Sequence, residues 1–294
     1  MADHHTSTPR GIDHAVIATR DLDALANSFA ELGFKVGARN RHPWGTENHI
    51  VQFDGSFIEL IGIGAGASIA GHEPGRFSFG GFVRDYLEDG EGMAMLALES
   101  HNATGDREAF RKARIGDFSR FDFARSGQGA EGKPVDVAFS LAFAELSGSP
   151  RAAFFVCQQH KPQNFWSRAV QKHPNGATGI ASVVVVADDP SDTHEFLGAF
   201  VNQREMRATS FGLDIDTGRG RIEVLSPDAF AYRFGAPAPA RPKGGAQFAG
   251  LTIAGASVAR LEKVTQAARK VVTARQTMLV TELFGGACQL GFDV

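Results

Sequence analysis

One order of predicted elements recurs four times along the chain, and this recurrence limits the possible folds more than any other feature. Each copy opens with a short apolar run rich in β-branched residues, continues with an amphipathic stretch and closes with short strand-like segments. The opening runs occupy residues 12–18, 92–99, 179–187 and 247–254. The sequence therefore predicts four units of the order strand–helix–strand–strand–strand (βαβββ).

The first unit carries the clearest local signals. Helix-capping side chains at 19–23 precede apolar residues at helical spacing, and Gly33 ends the predicted helix. Asp54 and Gly55 indicate a hairpin between the last two strands of the unit. The three strands after the helix are predicted at 34–40, 48–53 and 57–61.

The later units repeat this order at a spacing too uneven for a solenoid array. Their helices are predicted at 101–114, 192–201 and 258–272. Their closing strands are predicted at 118–123, 135–144, 152–158, 206–210, 212–216, 221–225, 277–283 and 287–292.

A single unit of this kind exposes one sheet face and cannot bury it alone, so the units are expected to pair into two curved sheets. Stretches rich in Gly, Ala, Ser or Pro at 62–81 and 236–245 suit loops, and the Pro-Asn-Gly turn at 174–176 suits a domain join. We predict an N-terminal domain, 1–172, and a C-terminal domain, 173–294. Their modules span about 11–63 and 91–160, and about 179–235 and 246–294.

Composition narrows the functional classes. The 294 residues include 30 basic and 33 acidic side chains, and this balance argues against a nucleic-acid or anionic-membrane partner. Only two cysteines occur, and no apolar segment is long enough to span a membrane, so a cytoplasmic protein is expected. The 24 phenylalanines favour an apolar pocket for a small-molecule substrate. Four units already form two pairs, which allows either a monomer or a homodimer.

Four phrases carry a family resemblance. GIDHAVIATRDLDALANSFAELGF, WGTENHIVQF, SFIELIGI and HPNGATGI, in this order, resemble the glyoxalase-like group of the vicinal oxygen chelate superfamily. The resemblance implies an α+β fold class, with four βαβββ modules paired into two cup-shaped barrels. It also implies a divalent metal ion held by side chains from the first and last strands of a module.

His14 and Glu59 are the candidate metal ligands of the first unit. His14 lies in the first strand, and Glu59 lies in the fourth, between Ile58 and Leu60. A carboxylate in such an apolar strand is costly unless it meets a cation or a proton. An imidazole and a carboxylate suit a divalent Fe, Mn, Ni or Zn ion, although a plain hydrogen bond between the two side chains is the alternative.

The second unit departs from the family pattern, because Met95 aligns with His14. Its last strand ends in FFVCQQH, where His160 would complete a set of two imidazoles and one carboxylate. Cys157 and Gln158 are the alternatives, because a shift of one residue in register reverses the face. Further candidate ligands are Glu99 and His101, at the end of the first strand of this unit.

Several other polar and aromatic side chains lie near these sequence phrases, and each has an expected location or role. His49 lies beside Glu59 if the hairpin loop has three residues, and on the opposite face if it has two. On the inside, His49 would be a ligand or a general base. A solvated loop is expected at Arg39, Arg41 and His42, with binding of an anionic substrate group as the alternative. The predicted substrate-pocket residues are Trp44, Asn48, Gln158 and Trp166.

The C-terminal half has lost the imidazole. Ser182 takes the place of His14 in the third unit, whereas Glu223 keeps the carboxylate and would pair with Arg221 or Arg219. The fourth unit has Gly250 and Gln289 at the two positions. We therefore expect no metal site in this half.

The favoured function is that of a metal-dependent lyase or isomerase of the glyoxalase kind, acting on a small organic substrate that chelates the ion through its oxygens. Glu59 or His49 would move a proton. Ring-cleaving dioxygenation is less favoured because the second imidazole is uncertain. The alternative is a metal-free protein that sequesters an aromatic small molecule in a Phe-rich cup.

Overall fold

The described part of the chain contains sixteen strands, which form two sheets of eight with the same internal order. The computed structural model describes residues 8–128, 134–268, 273–275 and 278–293. The first sheet contains β1 (Ile12–Ala18), β2 (Asn40–Arg41), β3 (Thr46–Gln52), β4 (Phe57–Ile63), β5 (Gly92–Glu99), β6 (Phe121–Gln128), β7 (Pro134–Glu145) and β8 (Ala153–Gln159). The second contains β9 (Gly179–Val186), β10 (Arg207–Thr209), β11 (Gly212–Asp216), β12 (Arg221–Leu225), β13 (Gln247–Ala254), β14 (Thr273–Arg275), β15 (Met278–Leu283) and β16 (Cys288–Asp293).

The strand orders are β2-β3-β4-β1-β5-β8-β7-β6 and β10-β11-β12-β9-β13-β16-β15-β14. In each sheet the first strands of two units pair antiparallel at the centre, and each of them pairs in parallel with the last strand of its own unit. This arrangement confirms the α+β fold class. The helices are α1 (Leu22–Glu31), α2 (Phe79–Asp89), α3 (Ala103–Ala113), α4 (Pro162–Phe165), α5 (His194–Val201), α6 (Pro227–Phe234) and α7 (Val258–Ala268).

Some local predictions differ from the structure. Residues 34–39 are not a strand, and β2 has only two residues. Three of the described helices, α2, α4 and α6, are not predicted from the sequence. The glycines at 80 and 81 lower the helix propensity of α2, but Tyr86 ties this helix to the sheet: its hydroxyl donates to the carbonyl oxygen of Met93 at 3.0 Å, and the Arg151 guanidinium lies 3.9 Å above its ring. Tertiary contacts thus outweigh the weak local preference.

The two sheets pack together through one of their faces, here called the outer face. Ile12, Ala15 and Ile17 of β1 belong to a core that also contains Val183 and Val185 of β9. Helices α1, α3 and α5 contribute to the same core. The opposite face of each sheet, the inner face, carries a separate apolar cluster. Each inner face is therefore separate from the core that the two sheets share.

A β-bulge interrupts β1 at Asp13. Ile12 lies opposite Leu98 of β5, and His14 lies opposite Ala97, so Asp13 is the extra residue. A bulge places two consecutive side chains on the same side of a strand, which regular alternation forbids. The bulge brings Asp13 to the inner face together with His14.

The join between the halves is fixed by backbone hydrogen bonds. The ring of His173 accepts from the amide of Lys35 at 2.9 Å and donates to the carbonyl oxygen of Gln52 at 2.8 Å. Asn175 donates to the carbonyl oxygen of Leu32. His173 and Asn175 thus tie the join to the first unit, whereas the domain boundary at residue 173 stays a prediction. None of the described helices combines the length and hydrophobicity that a membrane crossing requires.

Candidate metal and substrate site

His14 and Glu59 meet on the inner face of the first sheet. They lie on neighbouring parallel strands, β1 and β4, where His14 pairs with Phe57 and Val16 pairs with Glu59. His14 Nε2 lies 3.9 Å from Glu59 Oε2, and both side chains are buried. This separation is too long for a hydrogen bond, so the two atoms flank a shared space rather than bond to each other.

Asp13 fixes the His14 ring. Asp13 Oδ2 lies 2.6 Å from His14 Nδ1, and Gln159 Nε2 donates to Asp13 Oδ1 at 2.9 Å. The ring also stacks on Phe57 at a centroid distance of 4.2 Å. Because a carboxylate accepts the Nδ1 proton, Nε2 keeps its lone pair on the Glu59 side. A carboxylate behind the imidazole is the usual support of a metal-ligating histidine.

His42 joins this pair, although a solvated loop was expected there; that expectation is wrong. His42 Nε2 lies 3.7 Å from Glu59 Oε1, and its Nδ1 lies 2.8 Å from the hydroxyl of Thr46. The ring stacks on Trp44. Burial lowers the pKa of His42 to about 4, against a partly opposing effect of the Glu59 charge. His42 is therefore a neutral imidazole near pH 7, the form that binds metal ions.

No motif in the sequence marks His42. The short β2 and the early start of β3 at Thr46 turn the intervening segment inward, and Trp44 then covers the imidazole. A run of Arg, His and Pro before a turn resembles a solvated loop in composition. Only the packing of the segment reveals the difference.

Asn48 connects the carboxylate to the second imidazole. Its Nδ2 donates to Glu59 Oε1 at 2.5 Å and lies 3.4 Å from His42 Nε2. Its Oδ1 is buried and has no hydrogen-bond partner among the described residues. Asn48 therefore lines the inner cavity and offers a free acceptor there.

His49 lies on the other face of β3. The hairpin loop has two residues, Asp54 and Gly55, so Ile50 pairs with Glu59 and His49 pairs with Leu60. The His49 ring bonds instead to the carbonyl oxygen of Gly37 at 2.7 Å. The assignment of His49 as a proton-transfer residue beside Glu59 is therefore corrected.

His160 and Gln158 also lie away from the site. The exposed His160 follows β8 and bonds to the hydroxyl of Ser140 at 2.7 Å. Gln158 accepts from the amide of Ala103 at the start of α3. Inward-facing positions of β8 alternate with these two, and they belong to Phe155 and Cys157. The prediction of His160 as third ligand is therefore corrected, and so is Gln158 as a pocket residue.

Cys157 approaches His14 from β8. Ligand atoms of Asp13, His14 and Cys157 lie within 4.8 Å of one another. Burial raises the pKa of the Cys157 thiol, and the charges of Asp13 and Glu59 act in the same direction. Cys157 is thus a protonated thiol. Since Asp13 already bonds to His14 Nδ1 at 2.6 Å, the open space for an ion is on the Nε2 side.

Glu99 and His101, the further candidate ligands of the second unit, do not take part in the site. Glu99 pairs with Arg219 at 3.2 Å, and His101 is exposed. On the inner face β5 supplies Met95 and Ala97. The described inner face of the second unit therefore brings no imidazole or carboxylate to the pocket.

Aromatic side chains enclose the site and divide the space around it. An inner cavity of about 40 Å³ adjoins the two imidazoles and Glu59. A larger space of about 470 Å³, which we call the vestibule, lies between segments 69–80 and 119–122. Trp44 and Phe79 line both spaces and separate them. The remaining aromatic residues of the inner cavity are Phe57, Phe123, Phe139, Phe155 and Phe165.

Trp166 lies behind this wall, with ring contacts to Phe57 at 5.9 Å and to Phe165 at 4.9 Å. Trp166 lines neither of the two spaces described above, so its assignment as a pocket residue is corrected, whereas Trp44 lines both.

The corresponding face of the C-terminal sheet is occupied differently. Ser182 bonds to Thr252 at 2.7 Å, and Glu223 forms ion pairs with Arg221 and Arg233. Helix α6 packs against this face. The expected pairing of Glu223 with Arg221 is present, and its carboxylate is neutralised within the protein.

Sequence comparison decides the family. A family model described as a glyoxalase-like domain matches residues 12–201, which is more than half of the chain. The chain belongs to the glyoxalase-like domain family. The match covers the whole first sheet and the opening of the second, and the resemblance to the vicinal oxygen chelate superfamily is confirmed. A search of curated proteins found no match.

Solved structures share the fold of this glyoxalase-like protein at low sequence identity. A hypothetical protein from Staphylococcus aureus superimposes with a TM-score of 0.64 and 11% identity, covering 96% of this chain and 98% of the other. A variant of 4-hydroxymandelate synthase from Streptomyces coelicolor has a TM-score of 0.55 and 12% identity, covering 97% and 92%. A fusion of a xylose isomerase-like TIM barrel with 4-hydroxyphenylpyruvate dioxygenase has a TM-score of 0.51 and 13% identity, covering 97% and 48%.

Proposed function

We propose that this glyoxalase-like protein is a metal-dependent enzyme that acts on a small oxygen-chelating organic substrate in the N-terminal cup. One observation carries the proposal. The Nε2 atoms of His14 and His42 both lie within 4 Å of the Glu59 carboxylate, in a buried cavity. Their separations of 3.9 and 3.7 Å leave space between donors that are not bonded to one another.

The chemistry of the donors fits a divalent ion. His42 is neutral, His14 is held by Asp13 with its Nε2 lone pair free, and Glu59 provides an oxygen. Two imidazoles and one carboxylate suit Fe, Mn, Ni or Zn in the divalent state. An ion at this place would polarise substrate oxygens bound to its remaining positions.

The chain's own residues would complete the site. Glu59 and the imidazoles hold the ion, and the aromatic wall excludes water, which strengthens electrostatic interactions in the cavity. Glu59 is also the carboxylate among the described residues that line the cavity, so it would accept a proton from a bound substrate. Lyase or isomerase chemistry of the glyoxalase kind follows from these roles.

A second candidate function gains support from His42. A set of two histidines and one carboxylate with open positions is typical of non-haem Fe(II) oxygenases. The sequence offered only one secure imidazole, and His42 supplies another from the loop before β3. Selective Fe(II) retention, together with oxygen consumption on substrate addition, would favour the oxygenase over the lyase.

Metal binding tests the proposal. Protein purified without chelator is stripped, reloaded with Mn, Ni, Zn or Fe(II), and titrated by calorimetry alongside His14→Ala and Glu59→Gln. We expect one ion per chain in the wild type, and a loss of at least about tenfold in affinity in each variant. His101→Ala removes an exposed imidazole and serves as the matched control, with unchanged affinity expected.

The opposite result has a defined meaning. If the wild type binds none of these ions, or if both variants bind as tightly as the wild type, the metal-dependent function is wrong. The aromatic cup then supports the alternative function, a metal-free protein that sequesters an aromatic small molecule.

A further inference from the structure

We infer that Arg125 is the anion-binding residue of this pocket, and that the ligand it recognises carries a carboxylate on an apolar, planar body. As a statement about an enzyme substrate, the inference rests on the proposed function. As a statement about ligand binding, it rests on the cavity alone.

Arg125 reaches the cavity from β6. It lies opposite Val137 of β7, and Phe123 of the same strand lies opposite Phe139. These phenylalanines and Arg125 line the inner cavity that also contains His14 and Glu59. Among the described residues that line the cavity, Arg125 is thus the cationic side chain contributed by the second unit.

Arg125 has no carboxylate partner among the described residues. Its Nη1 donates to the uncharged Asn40 Oδ1 at 3.0 Å, and its Nε is fully buried without a partner. By contrast, Arg39 pairs with Glu47 at 2.8 Å, and Arg120 pairs with Asp122 at 2.9 Å. A largely buried cation that lacks a counter-ion is costly, so an anionic ligand would recover free energy there.

The electrostatic environment agrees with an unmet charge. Burial lowers the pKa of Arg125, and the Glu59 carboxylate only partly opposes this effect. Glu59 itself bonds to Asn48 rather than to Arg125. The Glu59 carboxylate therefore acts on Arg125 from within the same cavity, but no ion pair joins the two side chains among the described contacts.

A second buried donor that lines the same cavity lacks a partner. Trp44 Nε1 is buried and unbonded within the described part of the chain, and Trp44 lines both the cavity and the vestibule. Two unmet donors, Arg125 Nε and Trp44 Nε1, suit the oxygens of a carboxylate. The neighbouring phenylalanines suit an apolar body.

The dimensions define how such a ligand would be placed. The inner cavity of about 40 Å³ holds only a few non-hydrogen atoms, whereas the vestibule of about 470 Å³ holds a small organic molecule. The carboxylate would enter the inner cavity beside Arg125. The planar body would remain against Trp44 and Phe79, at the opening between the two spaces.

Benzoate and benzamide provide the test, because they have nearly equal size and differ in charge. Both are titrated into metal-free protein, with Trp fluorescence or calorimetry as the readout. We expect the wild type to prefer benzoate over benzamide by at least about tenfold, and Arg125→Gln to lose about tenfold in benzoate affinity without a change for benzamide. Arg125→Lys keeps the charge without the forked donor geometry and should lie between the two.

Two controls separate recognition from folding. Arg41→Gln removes an exposed arginine before the same pocket and should leave benzoate binding unchanged. The affinity of Arg125→Gln for the tightest-binding metal ion, compared with wild type, reports whether the pocket is intact. If that variant misfolds, Arg125→Lys alone decides: unchanged benzoate affinity overturns the inference, and a loss restricted to benzoate supports it.

Other outcomes also overturn the inference: equal affinity for benzoate and benzamide, or no saturable benzoate binding by the wild type below about 10 mM. Failure of the proposed function looks different. In that case no metal ion binds, yet the charge preference and its dependence on Arg125 persist in the metal-free protein.

Discussion

Asp13 Oδ2 and His14 Nδ1 lie 2.6 Å apart although the two residues are consecutive in a strand. Regular alternation would direct them to opposite faces, and the bulge at Asp13 removes this obstacle. The orientation of the His14 ring therefore depends on a backbone irregularity. Gln159 strengthens the arrangement by donating to the second carboxylate oxygen.

Replacing Asp13 by Asn should weaken metal binding. The amide can donate to Nδ1, which would move the imidazole proton to Nε2 and block the lone pair that a metal ion needs. We expect a loss of about 10- to 100-fold in affinity, measured by calorimetry. Asp54→Asn, in the exposed hairpin loop, is the matched control. An Asp13→Asn protein that binds metal as tightly as wild type would contradict this role.

Replacing His42 and replacing His160 should have different effects on metal affinity. His42 Nε2 lies 3.7 Å from Glu59, whereas His160 bonds to Ser140 on the other face of the sheet. His42→Ala should lower metal affinity by at least about tenfold, and His160→Ala should leave it unchanged. Calorimetric titration of both variants with the same ion provides the measurement. The reverse order of effects would restore His160 as the third ligand.

Both cysteines should resist thiol reagents in the native protein. Burial raises the pKa of Cys157, and it raises the pKa of Cys288 to about 12. Since the thiolate is the reactive form, dithionitrobenzoate should label neither residue until denaturant exposes both. Ser126→Cys places a thiol at an exposed position of β6 and serves as a positive control. Rapid labelling of native wild-type protein would rule out the buried placement.

Acidification should destabilise the join through His173. Burial lowers the pKa of His173 in the folded protein below the ordinary value of 6.5; the hydrogen bond to the carbonyl oxygen of Gln52 partly opposes this effect, and the charge of Lys35 adds to it. The unfolded chain binds this proton more readily, so the stabilisation is complete above 6.5 and is lost as the pH falls toward the lower folded value.

Urea unfolding at about pH 7.5 and about pH 5.5 measures this effect. The loss of unfolding free energy on acidification should be smaller in His173→Gln than in wild type. His194→Gln, at an exposed position, should lose as much as wild type. Equal losses in wild type and His173→Gln would show that the folded protein does not exclude the proton.

The strand and helix pattern could be predicted because it depends on local sequence. Strands β5, β11, β12 and β13 begin and end where they are predicted to, and Asn102 caps α3. Helix α2 escaped prediction because its two glycines give a weak local signal, and Tyr86 stabilises it through a contact made only after folding.

The sequence by itself determined the repeated units, the common location of His14 and Glu59, and the loss of the imidazole in the C-terminal half. These features follow from residue type and from the period of a strand. Tertiary structure decided the rest of the site. A two-residue loop set the face of His49, the register of β8 directed Cys157 inward, and folding of the segment before β3 buried His42. Register and loop packing are set by contacts between distant segments, and a shift of one residue reverses every side chain of a strand.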